Sequence, residues 1–333
     1  MANIREVADR AGVSVATVSN VLNQTKKTRP ETRERVLAAV RELGYVQNAA
    51  ARQLAVGRGS ILGIVISDIR NPFFPEIVTA FQDQAIEHNI DLVLMNTNYE
   101  VERTRSAILR LLALRVPGVA VLTSQIEKSV IKTLASHDIP AVYIELGRAG
   151  RRISNIVVND EHGIDQAVEH LVALGHRRIG FLGGPDRMLT AARRRRAFLE
   201  SSRRRGIETR VTEADLTVRG GYDACARLLE SATPTALLTG NDLMAIGAAQ
   251  YAHEHNIALP AELSIVGFDD IFFARCAYPA LTTVAQDRRL IGETAFRALW
   301  EMITNETAAG AEYRIGTKLV VRDSTAPPRV NPD

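Results

Sequence analysis

The side chains best suited to bind a small molecule lie in four short clusters, each directly after an apolar run. They are Asn71-Pro72-Phe73-Phe74, Gly183-Gly184-Pro185, Gly240-Asn241-Asp242 and Gly267-Phe268-Asp269-Asp270. Carboxylate and amide groups hydrogen-bond hydroxyls, and charged partners make the stronger bonds. Ligands of open α/β sheets sit beyond the carboxyl ends of the strands, so these clusters predict a binding cleft.

Motifs that would point to catalysis are missing from the sequence. It contains no Walker loop, GxGxxG, GxSxG or HExxH pattern. We therefore expect no catalytic residue, no metal site and no cofactor. Five histidines lack metal-site spacing and are expected at the surface: His162, His170, His176, His253 and His255.

Short apolar runs alternate with helical patterns from Ile61 onward. The runs begin at Ile61, Leu92, Val119, Ala141, Ile179, Ala236 and Ser264. The helical stretches between them include 75–89, 101–114, 162–174 and 242–255. Such alternation predicts parallel sheets with helices on both faces, and the number of units is enough for two subdomains.

The first 46 residues have a different pattern, of helix, tight turn and helix followed by a third helix. Ile4, Val7, Ala8 and Ala11 share one apolar face, and Gly12 can supply the turn. Ser14 is a good N-cap for the second helix. The third helix is expected over about 31–43.

The second helix has a small, polar outer face. At about 100° per residue, Val15, Val18, Val21 and Leu22 share the buried side. Ala16, Thr17, Ser19 and Asn20 point outward, and such side chains suit base edges in the major groove. Another three-helix packing module could show the same periodicity.

Composition and charge agree with a soluble DNA-binding protein. Residues 1–60 carry ten basic and five acidic side chains, a charge of +5, which leaves −2 of the total +3 for the remainder. A basic head on a near-neutral body is typical of a phosphate-backbone binder. With no apolar run long enough to span a membrane, no export signal and two cysteines, we expect a cytoplasmic protein that makes no membrane contact.

Strings throughout the head closely resemble the lactose/galactose repressor family. They are Val7-Ala8, Ala11-Gly12-Val13-Ser14, Thr17-Val18-Ser19, Val21-Leu22-Asn23, Glu31-Thr32-Arg33 and Leu43-Gly44-Tyr45. The resemblance is dense over residues 3–54 and continues to about residue 323. Two departures stand out. Arg29 replaces the usual serine before the third helix, which weakens its cap, and Val15, Ala16 and Asn20 occupy variable reading positions.

The resemblance implies a double-stranded DNA interface on the head and on the segment behind it. Ala51-Arg52-Gln53-Leu54 matches the family's hinge helix, in which Leu54 would be an apolar wedge in the minor groove. A linker whose Leu54 packs on the body is the alternative. The implied DNA-binding residues are Ser14, Val15, Ala16, Thr17, Ser19, Asn20, Lys26, Ala51, Arg52 and Leu54.

The resemblance also implies a fold, a set of effector-binding residues and a division into domains. The fold is a small all-α helix-turn-helix head plus an α/β periplasmic-binding-protein-like core of two doubly wound parallel-sheet subdomains. The implied effector-binding residues are Phe73, Phe74, Glu145, Thr190, Arg194, Leu216, Asn241 and Asp269. The expected domains are 1–46, a hinge and linker over 47–60, an N-terminal subdomain of 61–159 plus about 289–318, and a C-terminal one of 160–288 plus about 319–333.

Other arginines near Arg194 are expected on solvated helix faces, namely Arg193, Arg195 and Arg196, and also Arg203 to Arg205. Leu216 stands where some relatives place an aromatic ring, which argues mildly against a stacked purine.

The sequence therefore indicates a transcriptional regulator, most simply a repressor of a sugar or carbon-metabolism operon. It would bind a palindromic operator as a homodimer and respond to a small carbohydrate-like effector. A ligand-capture protein of the transport type is the alternative, and an enzyme comes third.

Overall fold

The head is a three-helix unit with its own apolar core. In the computed structural model α1 is Ile4–Ala11, α2 is Val15–Asn23 and α3 is Pro30–Glu42. Gly12 closes α1 with φ 64°, a left-handed conformation that glycine adopts without strain. The structure describes residues 2–23, 26–46, 61–123, 128–145 and 149–329.

The starts of the three helices of the head are capped to different degrees. Asn3 and Glu6 form a reciprocal capping box at the start of α1. Ser14 Oγ accepts a hydrogen bond from the Thr17 N–H at 3.2 Å, as predicted for the N-cap of α2. Arg29 makes no side-chain hydrogen bond at the start of α3, so that cap is weak, also as predicted.

The first lobe of the body is built on a six-stranded sheet in the order β11-β5-β4-β3-β1-β2. All of its strand pairs are parallel. The strands are β1 Ile61–Ile66, β2 Asp91–Asn96, β3 Val119–Leu122, β4 Ala141–Ile144, β5 Ile153–Val158 and β11 Glu312–Ile315. The helices are α4 Phe73–Glu87, α5 Val101–Ala113, α6 Lys128–Ser136 and α11 Arg288–Thr304.

The second lobe repeats the plan in the strand order β12-β10-β9-β8-β6-β7. Its pairs are parallel except β10 with β12. The strands are β6 Arg178–Gly183, β7 Glu208–Glu213, β8 Ala236–Thr239, β9 Ser264–Asp269, β10 Thr282–Gln286 and β12 Thr317–Val320. The helices are α7 Asp160–Ala173, α8 Leu189–Arg204, α9 Val218–Ser231 and α10 Asp242–Glu254.

The chain crosses between the lobes three times. It leaves the first lobe after β5, returns from β10 to α11, and crosses again at Gly316 between β11 and β12. Helix α11 packs on α4 of the first lobe so closely that a Cβ at Gly292 would lie 2.4 Å from the Ile77 carbonyl oxygen. Both lobes are therefore assembled from segments that are far apart in sequence.

The two-sheet core confirms the predicted fold class. Each lobe has an apolar core on both faces of its sheet, as the continuous apolar runs require. Among the described helices, none combines the length and the apolar character needed to cross a bilayer.

Two expectations about surface residues were wrong. His176 is only 1% exposed, because its ring contacts Thr235 Oγ1 at 2.8 Å and the Ala326 carbonyl oxygen at 2.9 Å. Arg205 is not solvated either, since its guanidinium donates to both oxygens of Asp165. This pairing holds the pKa of the Asp165 carboxyl well below its usual range.

Candidate functional site

A cavity of about 70 Å³ lies between the two lobes, at the carboxyl ends of their strands. The first lobe contributes side chains that follow β1 and β4, and the second contributes side chains that follow β8 and β9 and others from α8. All eight predicted effector-binding residues line it: Phe73, Phe74, Glu145, Thr190, Arg194, Leu216, Asn241 and Asp269. The fold thus brings the whole predicted set together, and their role in binding stays a prediction.

Arg194 is the central cation of this cavity, and its side chain is only 11% exposed. Its Nη1 donates to the Gly240 carbonyl oxygen at 2.7 Å and lies 3.5 Å from Asp269 Oδ1. The guanidinium carbon sits 3.7 Å from the centre of the Phe268 ring. Burial alone would lower the pKa of Arg194, but the charges of Asp160 and Asp269 outweigh it and raise that pKa.

Asp269 ends β9 and turns into the cleft with φ 107°. It is 4% exposed, and its Oδ1 accepts a hydrogen bond from Gln286 Nε2 at 2.6 Å. Burial raises the pKa of Asp269 to about 6, against the opposing effects of Arg194 and Arg288. This carboxyl is therefore held in place by neighbours and can change its protonation state near neutral pH.

Asp160 is the second buried carboxylate beside Arg194. Its Oδ2 lies 3.3 Å from Arg194 Nε, yet neither atom makes a hydrogen bond of good geometry within the described residues. Burial raises the pKa of Asp160 above its ordinary value. Buried polar atoms without hydrogen bonds are costly, and a polar ligand that bonded to Asp160 Oδ2 and Arg194 Nε would offset that cost.

Asn241 has a structural task as well as a place in the cavity wall. Its side-chain oxygen caps α10 by accepting from the Met244 N–H at 2.9 Å, and its Nδ2 donates to the Leu216 carbonyl oxygen at 3.1 Å. The following residue, Asp242, is fully buried and accepts from Thr283 Oγ1 at 2.5 Å. The amide of Asn241 is therefore fixed in orientation, with one lone pair and one hydrogen left for a ligand.

The wall contributed by the first lobe is aromatic. Phe73 and Phe74 begin α4 and pack edge to face, with ring centres 5.2 Å apart. Tyr99 joins them from the loop after β2, and burial raises the pKa of its hydroxyl. Leu216 closes the opposite side, so close to Gly184 that a Cβ there would lie 2.7 Å from a Leu216 methyl carbon. An apolar wall facing a charged one suits a ring with polar substituents.

Glu145 and Arg193 form an ion pair that joins the lobes, and this corrects the expectation that Arg193 is solvated. Arg193 Nη2 contacts Glu145 Oε2, and the two side chains are 28% and 3% exposed. Glu145 Oε1 also accepts a hydrogen bond from the Val158 N–H. By contrast, Arg195 and Arg196 pair with acids of their own lobe on the surface, as expected.

Sequence analysis missed four polar residues of the cavity. They are Tyr99, Thr123, Asp160 and Gln286, which line it but belong to none of the four clusters. Asp160 follows β5, a strand with no separate signal in the apolar pattern, and Gln286 ends β10, also unpredicted. Recognising those two strands would have placed both residues at strand ends.

The candidate DNA-binding surface of the head is the outer side of α2. Ser14, Ala16 and Lys26 are exposed, whereas Thr17, Ser19 and Asn20 are partly exposed. Val15 is 39% exposed, so its assignment to the buried side of α2 was wrong. Its side chain is accessible for a contact with DNA bases. From α2, Val18 and Val21 enter the core of the head and Leu22 packs against it. The hinge residues Ala51, Arg52 and Leu54 lie outside the described residues.

Comparisons with known proteins match both parts of the chain. The sequence profile of bacterial regulatory proteins of the lacI family matches residues 3–48, and that of the periplasmic binding protein-like domain matches residues 168–325. A solved lac repressor dimer, bound to operator and the anti-inducer ONPF, superposes with a TM-score of 0.85 at 32% identity over 98% of this chain and 99% of that one. A complex of the regulator CelR with cellobiose gives a TM-score of 0.74 at 29% identity over 97% of this chain and all of the other.

Curated relatives extend over nearly the whole length. The HTH-type transcriptional repressor PurR of Proteus mirabilis is 34% identical over 98% of this chain and 97% of its own. PurR of Klebsiella pneumoniae is 32% identical over the same shares. At this identity and coverage, the chain belongs to the lacI family of bacterial regulatory proteins.

Proposed function

We propose that this chain is a transcriptional repressor that binds a palindromic operator as a homodimer and changes its operator affinity when a small carbohydrate-like effector enters the cleft. One observation carries the proposal. A helix-turn-helix head and a two-lobed cleft lined by buried charged groups occur in one chain that matches repressors from end to end.

The head supplies the DNA contact. Helix α2 presents small and polar side chains, which fit the major groove and can reach base edges. Two heads in a symmetric dimer read half-sites about one helical turn, or ~10 bp, apart. A repressor must reach the bacterial chromosome, which lies in the cytoplasm, so we place the protein there.

The cleft supplies the effector chemistry. Asp160 and Asp269 accept hydrogen bonds, Arg194 donates them, and the amides of Asn241 and Gln286 can do both. The hydroxyls of a sugar need this mixture, and one face of a sugar ring packs well on the Phe73 wall. A purine would need a stacking partner on the side where Leu216 stands, which favours the carbohydrate. The regulated genes would then belong to sugar or carbon metabolism.

Binding in the cleft reaches the DNA through the relative position of the lobes. A ligand that contacts Phe73 of the first lobe and Arg194 of the second shifts the lobe arrangement only if it binds one arrangement better. Couplings of this kind are typically about 1–3 kcal/mol. Because β1 of the first lobe directly follows residues 47–60, the change is passed to the segment that joins the heads.

Two steps test the proposal. Operators are first selected from a random DNA library with the full chain. A thermal-shift screen of sugars, sugar acids, sugar phosphates and nucleosides then finds the effector, since a ligand at 100 times its Kd adds about 2.7 kcal/mol of stability. The effector should shift operator affinity and be recovered chemically unchanged.

A matched pair of variants ties the response to the cleft. Asp269→Ala should keep operator binding without effector and lose the effector's shift, whereas Asp186→Ala, which removes an exposed acid of the same lobe, should keep both. An equal shift in Asp269→Ala and wild type would reject this cleft. If the chain binds a sugar tightly but selects no operator from the DNA library, the ligand-capture alternative is supported. If the ligand is converted to a product, the chain is an enzyme.

A further inference from the structure

The described residues that line the cavity between the lobes carry more negative than positive groups. They include three carboxylates and one guanidinium, namely Glu145, Asp160 and Asp269 against Arg194. The three acidic residues are only 6%, 2% and 4% exposed. The side chain of Arg194 is 11% exposed. The excess of negative charge is therefore buried in the wall of the proposed effector site.

Two further arginines lie close to these carboxylates, and each is paired with an acid. Arg193 contacts Glu145 and neutralises it. Arg288 donates to the main-chain carbonyl oxygen of Asp269, but its Nε also pairs with Glu76 Oε2 at 2.7 Å. With these pairs set aside, two carboxylates of the wall share one guanidinium. All three of these groups belong to the second lobe, so their charge balance does not depend on how the lobes are arranged.

The geometry leaves both of these carboxylates incompletely neutralised. Arg194 Nε is 3.3 Å from Asp160 Oδ2, and its Nη1 is 3.5 Å from Asp269 Oδ1. Both distances exceed the value of about 2.7–2.9 Å that is typical of a charge-assisted hydrogen bond. The guanidinium is held where it is, because Nη1 donates to the Gly240 carbonyl oxygen at 2.7 Å and the plane lies over the Phe268 ring.

Burial makes this unbalanced charge costly. The pKa of Asp160 is raised above its ordinary value, and that of Asp269 is raised to about 6, although Arg194 acts on both in the opposite direction. At neutral pH Asp269 is still mainly ionised, since the pH lies above that pKa. A ligand hydroxyl would add hydrogen bonds without charge, and a ligand phosphate or carboxylate would add to the excess. A ligand cation would supply the missing positive charge.

An organic ammonium group suits this place better than a metal ion. Within the described part of the chain, no group of three or more acidic, histidine or cysteine side chains could hold a metal. An ammonium group has three N–H donors, and Asp160 Oδ2 is a buried acceptor that makes no hydrogen bond to other described residues. The aromatic wall of Phe73 and Phe74 suits the carbon ring that would carry the amine.

We infer that the effector is an amino sugar or a similar hydroxylated amine, whose protonated nitrogen binds Asp160 and Asp269 beside Arg194. The inference rests on the proposed function for the role of the cleft and adds the charge of the ligand. Asp160 determines the preference, because it is the carboxylate beside Arg194 whose Oδ2 lacks a hydrogen bond.

Isothermal titration of the full chain with matched ligands tests the charge of the effector. Three series are compared, based on glucose, galactose and mannose. Each contains the 2-amino-2-deoxy sugar, the neutral parent and the uronic acid, in phosphate buffer so that no amine of the buffer competes. In at least one series the amino sugar should bind about tenfold more tightly than its parent, or by about 1.4 kcal/mol, and the acid should bind least. If no amino sugar binds at least about threefold more tightly than its parent, the inference is overturned.

Two variants locate the preference within the cavity. Asp160→Asn removes the charge and keeps the shape, so it should abolish the preference for the amine while the neutral parent still binds. Glu161→Gln is the matched control, because Glu161 is the next residue, its side chain is 60% exposed and it pairs with Arg196. This control should retain the preference. A preference that survives in Asp160→Asn would overturn the role of Asp160, and if that variant does not fold, the wild-type ranking decides alone.

Operator affinity, measured separately, keeps this inference distinct from the proposed function. An amino sugar that binds tightly but leaves operator affinity unchanged would reject the proposed effector response and keep the charge assignment. A neutral or acidic sugar that binds more tightly than its amine and shifts operator affinity would overturn the charge assignment and leave the proposed function intact.

Discussion

Asp269→Asn should stabilise the effector-free protein at neutral pH, although it removes a carboxylate from the wall of the proposed effector cleft. Burial raises the pKa of Asp269 from its ordinary value of 3.8 to about 6, so the ionised form is disfavoured in the folded protein. Each unit of pKa is worth about 1.36 kcal/mol, and the difference amounts to about 3 kcal/mol. Asparagine has the same shape, keeps an acceptor for Gln286 Nε2 and carries no charge.

The sign of the pH dependence follows from the direction of that pKa. A carboxyl whose pKa is raised on folding contributes stability that is fully present below the unfolded value of 3.8, and this is lost as the pH rises through about 6. Urea unfolding of wild type and Asp269→Asn, measured from pH 4 to pH 8, isolates this contribution. The free energy of unfolding of the variant, relative to wild type, should rise by about 2.4 kcal/mol across that range, because about 0.6 kcal/mol of the total is already lost at pH 4.

Asp165→Asn is a control in which the stability change should have the opposite sign. Arg205 holds the pKa of Asp165 well below its usual range, so the ionised form is favoured in the folded protein. That variant should be less stable than wild type at pH 7, with a deficit that shrinks as the pH falls below 3.8. A difference between Asp269→Asn and wild type that stays flat from pH 4 to pH 8 would refute the burial argument for Asp269.

Four further outcomes are expected. Asn20→Ala should change the ranking of operator variants at one symmetric pair of positions by roughly 1–3 kcal/mol, and an unchanged ranking in fluorescence anisotropy would exclude the contact. Leu54→Ala should lose specific affinity and DNA bending but keep effector binding, and an undiminished bend in circular-permutation gel shifts would reject the wedge. Arg29→Ser should give α3 the side-chain cap it lacks and slow hydrogen exchange in its first turn, by about 0.5–2 kcal/mol in opening free energy. Gly292→Ala should destabilise the protein by about 1–3 kcal/mol in urea unfolding, because the added Cβ meets the Ile77 carbonyl oxygen at 2.4 Å.

The strands that could be predicted are those made of continuous apolar residues, whereas β10 is buried throughout but contains two threonines and a glutamine and was missed. The runs at β1, β3, β4, β8 and β9 are apolar on both faces, and their pattern predicted each strand to within two residues. Strand β7 reads Glu-Thr-Arg-Val-Thr-Glu and lies at a sheet edge with most side chains exposed, so it carries no apolar run. The edge strands β11 and β12 also escaped prediction, because each has only four residues and lacks a continuous apolar run.

The candidate site likewise contains residues whose positions could be predicted from the sequence and residues whose positions could not. Asn241 and Asp269 follow apolar strands, so their positions at one sheet edge could be read from the chain. The Glu145–Arg193 pair could not be, because its members lie 48 positions apart on different lobes and Arg193 stands in a run of four arginines. Tyr99 has φ 58° in a loop, a placement that depends on the tertiary structure rather than on any local pattern.

The last crossing, at Gly316, sets the order in which the molecule can be completed during synthesis. Strand β11 closes one edge of the first sheet and β12 one edge of the second, so neither sheet is whole until residues 312–320 have been made. The head, which has its own core, is finished at residue 46. At about 5–20 residues per second, a ribosome needs roughly 15–50 s to travel between these points. During that time each nascent chain carries all the residues of the head on a body in which both sheets still lack an edge strand.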